Sequence, residues 1–217
     1  MSFLAELDVD GAIREAAEKV DGDTRAAFLR KAGIGVGAVI GGGAFFGALP
    51  SIAGASTGAA KSDVAILNYA LTLEYLEAAF YTEAVASGAL KGKVAAFARV
   101  VKTHEVAHVA ALKGALGSAA VKKPKFNFKG TTKNQAKFQA TAQVLEDTGV
   151  AAYLGQVGNI KSKQILAAAG SILPIEARHA GWIRDINNTV GAPTAFEAGK
   201  SMSQILAAVK ATGFIVE

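Results

Sequence analysis

The sequence predicts an all-α protein built as a four-helix bundle, and three observations carry that prediction. Apolar residues make up 51% of the chain, many of them alanine, with four prolines and little β-branched alternation; such a composition favours helices over strands. Two stretches with helical spacing each hold a glutamate followed three residues later by a histidine, Glu105–His108 and Glu176–His179. Both stretches also belong to a repeat. A shift of 72 lays Leu73, Glu74, Ala79 and Tyr81 onto Leu145, Glu146, Ala151 and Tyr153, and a shift of 71 lays Glu105 and His108 onto Glu176 and His179. Two copies of a helical hairpin make four helices.

Residues three apart on a helix share a face, so each Glu-x-x-His pair can converge on one ion. The chain has only three histidines, and two of them stand in this pattern. The first helix of each hairpin adds a lone glutamate, Glu74 or Glu146, with a tyrosine seven residues later on the same face. Four inward glutamates and two inward histidines are the ligand set of a dinuclear carboxylate site in a four-helix bundle. The set here is Glu74, Glu105, His108, Glu146, Glu176 and His179.

On these residues the sequence resembles the ferritin-like di-iron proteins (ferritins, bacterioferritins, rubrerythrins), and among them the small exported ferritin-like domain proteins. The resemblance covers about residues 62–189, with all six ligand positions filled. It implies a ferritin-like bundle with one long crossover, a centre of two iron ions, and reaction of that reduced centre with oxygen or peroxide. Hard carboxylates with one imidazole per ion suit iron or manganese. Glu105 and Glu176 are expected to bridge the ions, while Glu74 with His108, and Glu146 with His179, each complete one. The sequence names no substrate or reductant, so a di-iron oxidase or peroxidase is one reading of the activity and no catalytic residue is assigned. A closed storage shell is disfavoured by the N-terminal segment described next; a homodimer is compatible with the sequence.

Residues 1–30 are polar, with seven acidic and four basic groups, and Phe3, Leu4, Leu7, Ile13 and Val20 suggest a short amphipathic helix. From Ala32 to Ala60 there are 29 uncharged residues, nine of them glycine. The apolar part is long enough to span a bilayer. With the preceding Thr24-Arg25-Ala26-Ala27-Phe28-Leu29-Arg30 it looks like a twin-arginine export signal, except that Ala26 stands where the second arginine belongs. Ala53-Gly54-Ala55 offers a cleavage site before Ser56. The rival reading is an uncleaved membrane anchor with a small-residue face at Gly33, Gly37 and Gly41. Residues 1–55 are thus expected to be signal or anchor and 56–217 the bundle, exported to the periplasm or cell surface.

Ser62 is the expected cap of the first helix and Gly88 its stop. Leu67, Ala70, Leu71, Glu74, Ala78, Tyr81 and Val85 form its inward stripe; Glu83 is read as solvated, and Glu77 as either an extra ligand or a flank charge. The second helix is expected over 93–116, ended by Gly117. A basic connection follows, in which Lys122, Lys123, Lys125, Lys129, Lys133 and Lys137 occur without an acid. It reads as a solvated crossover or as a contact for an anionic surface; nucleic acid is not an expected partner. Thr132 is expected to open the third helix. The fourth is expected over 161–189, disturbed by Pro174, with Trp182 in the core or beside the site. Thr194-x-x-Glu197 and Ser201-x-x-Gln204 read as capping boxes of short terminal helices.

Two other chemistries compete. His104-Glu105-Val106-Ala107-His108 also matches the zinc-protease pattern H-E-x-x-H, which requires a third ligand and normally a strand-rich subdomain. No convincing strand is predicted. A metal-free structural bundle is the other alternative, but four inward carboxylates without a cation would repel one another. The lack of cysteine excludes disulfides, thiolate ligands and iron–sulfur clusters.

Overall fold

The computed structural model describes residues 60–216. The expected export segment or anchor, with its cleavage position, lies outside the described residues. Among these, no helix is long and apolar enough to cross a membrane.

Four long helices form the body: α1 (Lys61–Ser87), α2 (Gly92–Leu116), α3 (Gln135–Val157) and α4 (Lys163–Ile186). α1 packs along α2 and α3 along α4, and the two hairpins meet through α1 with α3 and α2 with α4. Gly88 ends α1 in the left-handed conformation (φ 66°), which a residue without Cβ adopts freely. Ser62 is not the cap: the helix starts two residues earlier than that cap would give, at Lys61 after Ala60. Instead the buried Asp63 in the first turn accepts the backbone N–H of Lys161 (3.0 Å) and Ser162 (2.8 Å). That ties the α3–α4 turn to the start of α1. Pro174 lies inside α4 without ending it. It and Gly170, whose carbonyl would have received the missing N–H, are both exposed, so water can satisfy that carbonyl.

The connection from α2 to α3 runs along α1. At one end Asn68 holds it, donating to Ala119 O (2.9 Å) and accepting from Val121 N (2.8 Å). At the other end the Thr132 hydroxyl donates to Glu83 Oε1 (2.5 Å) and Ser87 Oγ donates to Thr132 O (3.0 Å). From residue 68 to residue 83 α1 rises about 22 Å, so this is the long crossover the repeat requires. Glu83 is therefore not merely solvated; it anchors the crossover. Thr132 does not open α3, because it sits in a 3-10 turn (Thr131–Lys133) and Asn134 is the cap, accepting from Lys137 N at 3.0 Å.

Two features were not anticipated from sequence. Strands β1 (Lys125–Phe126) and β2 (Ile215–Val216) pair antiparallel and join the crossover to the C-terminal end. Two residues per strand are too few to show alternation. Of the two expected capping boxes only Ser201–Gln204 forms, opening α5 (Met202–Thr212). The Thr194 hydroxyl donates to Phe196 O (3.0 Å) instead, and residues 187–200 stay irregular.

The apolar core lies on both sides of a polar layer. On α2, Val94, Phe97, Ala98 and Val101 belong to one cluster and Leu112, Ala115 and Leu116 to the other, with Glu105 and His108 between. On α4, Ile165, Ala168, Ala169 and Ile172 lie before Glu176 and His179, and Ile183 and Ile186 after them. Burying one such Leu, Ile or Phe is worth about 1.5–3 kcal/mol, so the bundle does not depend on the polar layer for its cohesion.

The segment before α5 crosses α3 at very close range: Lys200 N donates to Ala151 O (2.9 Å), and a Cβ on Gly155 would lie 2.0 Å from Lys200 O. Gly155→Ala is expected to cost about 1–3 kcal/mol through overpacking. Gly158→Ala, where a Cβ meets nothing within 4 Å, should not. Denaturant unfolding compares them, and equal stabilities would contradict the close crossing.

Candidate metal centre

Each long helix delivers its polar residues to the same level of the bundle. α1 contributes Glu74, α2 Glu105 and His108, α3 Glu146, and α4 Glu176 and His179; all six are buried. They fall into two overlapping groups, Glu74–Glu105–His108–Glu176 and Glu105–Glu146–Glu176–His179, and within each the potential ligand atoms lie within 4.8 Å of one another. Both groups share Glu105 and Glu176. His108 Nδ1 lies 3.2 Å from Glu74 Oε2, 3.3 Å from Glu105 Oε2 and 3.1 Å from Glu176 Oε1. His179 Nδ1 lies 3.2 Å from both Glu105 Oε1 and Glu146 Oε2.

These atoms are close but mostly not hydrogen-bonded. Both oxygens of Glu105 and of Glu176, Glu146 Oε2 and His179 Nδ1 are buried without a hydrogen-bond partner. Distances near 3.2 Å without hydrogen-bond alignment leave these atoms' hydrogen-bonding capacity unused within the protein. Buried polar atoms rarely go unsatisfied, so each such group calls for a cause. Oxygen-rich surroundings with one imidazole per group fit a hard or borderline cation such as iron or manganese.

The tyrosines cross between hairpins. Tyr153 donates its hydroxyl to Glu74 Oε1, and Tyr81 donates to Glu146 Oε1. The sequence places each tyrosine on the face of its own helix's glutamate; the structure gives each to the other hairpin's glutamate, because α1 and α3 run antiparallel past each other. Each bond leaves one carboxylate oxygen of its glutamate for the chamber and fixes the carboxylate plane.

Glu77, which the sequence left between ligand and flank charge, is buried in the same chamber. Its space comes from the opposite helix: a Cβ on Gly149 would lie 3.1 Å from Glu176 Oε2 and 3.5 Å from Glu77 Oε1. The signal available in the sequence was the pairing of Glu77 with a glycine one repeat later. His104 stands outside both groups, with its Nδ1 2.8 Å from His179 Nε2. Trp182 is 37% exposed and packs edge-on against Phe97, so it is surface rather than core.

The charge balance of the metal-free chamber follows from its burial. Burial pushes the Glu74 carboxyl up to about 7, with His108 opposing the shift and Glu105 adding to it. Glu77 and Glu176 rise well above the carboxylate range, through burial first and then through neighbouring carboxylates. Burial opposes ionisation of Glu105 as well, yet the imidazoles of His108 and His179 hold it below that range. Burial alone would lower His179, but Glu105 and Glu146 raise it to about 10, and His108 is raised in the same way. Protons thus occupy the charge-balancing role that cations would take.

An α-helical bundle of two hairpins joined by one long crossover, with a carboxylate–histidine cluster facing inward from all four helices, defines the ferritin-like class of proteins. A model of the ferritin-like domain family matches residues 62–189, and the chain belongs to that family. No curated protein matches the chain.

The raised groups set a pH dependence. In the metal-free fold Glu74 binds its proton more tightly than at its ordinary 4.5, and His179 more tightly than at its ordinary 6.5. Stability from such groups is complete below the unfolded value and is lost as pH rises through the folded one. Metal-free protein should therefore lose melting temperature as pH rises from 5 through about 7, Glu74's folded value, and on towards about 10, that of His179. The depressed Glu105 acts in the opposite sense, only at acid pH. A melting temperature that climbs between pH 5 and pH 8 would show that these protons are not held in the fold.

Proposed function

We propose that this ferritin-like protein binds two iron or manganese ions in the buried chamber and reacts there with oxygen or peroxide. The observation that carries the reading is the set of buried, unpartnered carboxylate oxygens converging from four helices. Glu105 and Glu176 belong to both groups and would serve both ions, while Glu74 with His108, and Glu146 with His179, would each hold one. Held there in the reduced state, such ions would supply electrons to oxygen or peroxide. Around it the chain's own groups act: Tyr153 and Tyr81 orient Glu74 and Glu146, and the apolar clusters above and below exclude bulk water. Glu77 lines the same chamber beside Glu176, in the space left by Gly149.

The zinc-protease reading needs His104 and His108 on one ion. His104 instead meets His179 and is absent from both ligand groups, so the geometry favours the two-ion reading. A metal-free bundle leaves these buried oxygens without a hydrogen-bond partner.

Protein matured with iron should hold about two ions per chain, as a two-ion carboxylate site implies. Elemental analysis should find both ions lost in Glu105→Ala or Glu176→Ala, and one lost or loosened in His108→Ala or His179→Ala. One zinc per chain, retained when Glu176 and His179 are both replaced, would establish the protease-like alternative.

The same proposal takes the chain out of the cytoplasm, supported by the uncharged residues 32–60 and the near-signal at 24–30. Cell fractionation with N-terminal sequencing should find a mature chain beginning near Ser56 in the exported fraction, or full-length protein in the membrane if the segment anchors it. Full-length soluble protein in the cytoplasm contradicts export.

A further inference from the structure

The two halves of the chamber are built from a repeat, so they should be equivalent; at the outer face of the histidines they are not. His179 turns Nδ1 toward Glu105 and Glu146 and its Nε2 toward His104 Nδ1, 2.8 Å away, and the two rings lie edge to edge and nearly parallel, centroids 5.1 Å apart and planes 16° apart. His108 turns Nδ1 inward in the same way, but its Nε2 has no protein partner among the described residues. One repeat on from His104, at a shift of 71, stands Ile175, which cannot accept a hydrogen bond.

We infer that His104 is a positioning residue that makes the two metal sites unequal, so that the Glu146–His179 half binds its ion first. The inference rests on the two-ion reading above. A neutral imidazole that ligates through Nδ1 carries its proton on Nε2. In His179 that N–H donates to the Nδ1 lone pair of His104, whose own proton is then on Nε2 of a half-exposed ring. Such a bond selects the ligating tautomer, fixes the ring plane and strengthens the inner nitrogen as a donor. His108 lacks this support. The histidine that makes the sequence look like H-E-x-x-H thus serves the histidine of the other hairpin, not an ion of its own.

The test uses purified full-length protein stripped of metal and titrated with Co(II), following heat and the visible ligand-field bands. The wild-type chain should take up two ions in distinguishable steps. His104→Ala should weaken the tighter step by about tenfold or more, as loss of such a partner typically does, and shift that ion's bands. His104→Asn, whose side-chain oxygen can stand where Nδ1 stood, should recover most of both. The His104→Ala loss should persist in a His108→Ala background and vanish in a His179→Ala background. Unchanged affinities in His104→Ala, an Asn variant no better than Ala, or an undiminished loss in the His179→Ala background each overturn the inference while leaving the two-ion site standing. Fewer than two Co(II) in the wild-type chain removes the two-ion reading, and the inference with it.

Discussion

Five carboxyl groups and two imidazoles lie in the middle of an apolar bundle, and the surrounding structure answers to that constraint. A buried carboxylate is costly unless it is paired, hydrogen-bonded or bound to a cation. Five of them together must hold protons or meet positive charge. Flanking imidazoles favour the ionised form of Glu105, whereas burial and neighbouring carboxylates favour the protonated forms of Glu77 and Glu176. The layer survives in the fold because two apolar clusters enclose it and carry the cohesion. Divalent cations at the convergence points would relieve the repulsion directly and displace the protons.

A repeated hairpin is an economical way to build such a chamber, since one pattern used twice places a Glu and a Glu-x-x-His on opposite sides. Antiparallel passage of α1 and α3 then exchanges the tyrosines, so each hairpin braces the other's glutamate. The repeat is broken at two places that face the chamber or its histidines. Glu77 is answered by Gly149, and His104 by Ile175. A site made from identical halves has no intrinsic order of loading; these two departures supply a physical basis for distinguishing them.

Precision at the centre depends on contacts well away from it. Asp63 ties the α3–α4 turn to the start of α1, and Asn68 and Glu83 hold the crossover at its two ends. The segment before α5 lies against α3 so closely that both Gly155 and Gly199 are required at the crossing. These restraints fix α1 and α3 against the segments that connect the helices. The rotation of a helix about its axis decides whether a carboxylate points into the chamber or merely toward the core.

Much of this protein was legible in its sequence because the governing relations are local. Helical periodicity places residues i and i+3 on one face whatever the tertiary context, so Glu105 with His108, and Glu176 with His179, could be read directly, and the repeat added Glu74 and Glu146. The stops at Gly88 and Gly117 were legible for a similar reason, as a helix end favours a residue tolerant of left-handed backbone. What only the tertiary structure decided depends on how helices turn and cross. Glu77 sits at the margin of the inward stripe, and the gap at Gly149 gives its carboxyl room inside. Trp182, one turn from His179, lies at the surface, edge-on to Phe97. The exchange of tyrosines, the seating of His104 on His179 and the pairing of β1 with β2 join residues far apart in the chain. No local period encodes such contacts; they arise only when the helices have packed.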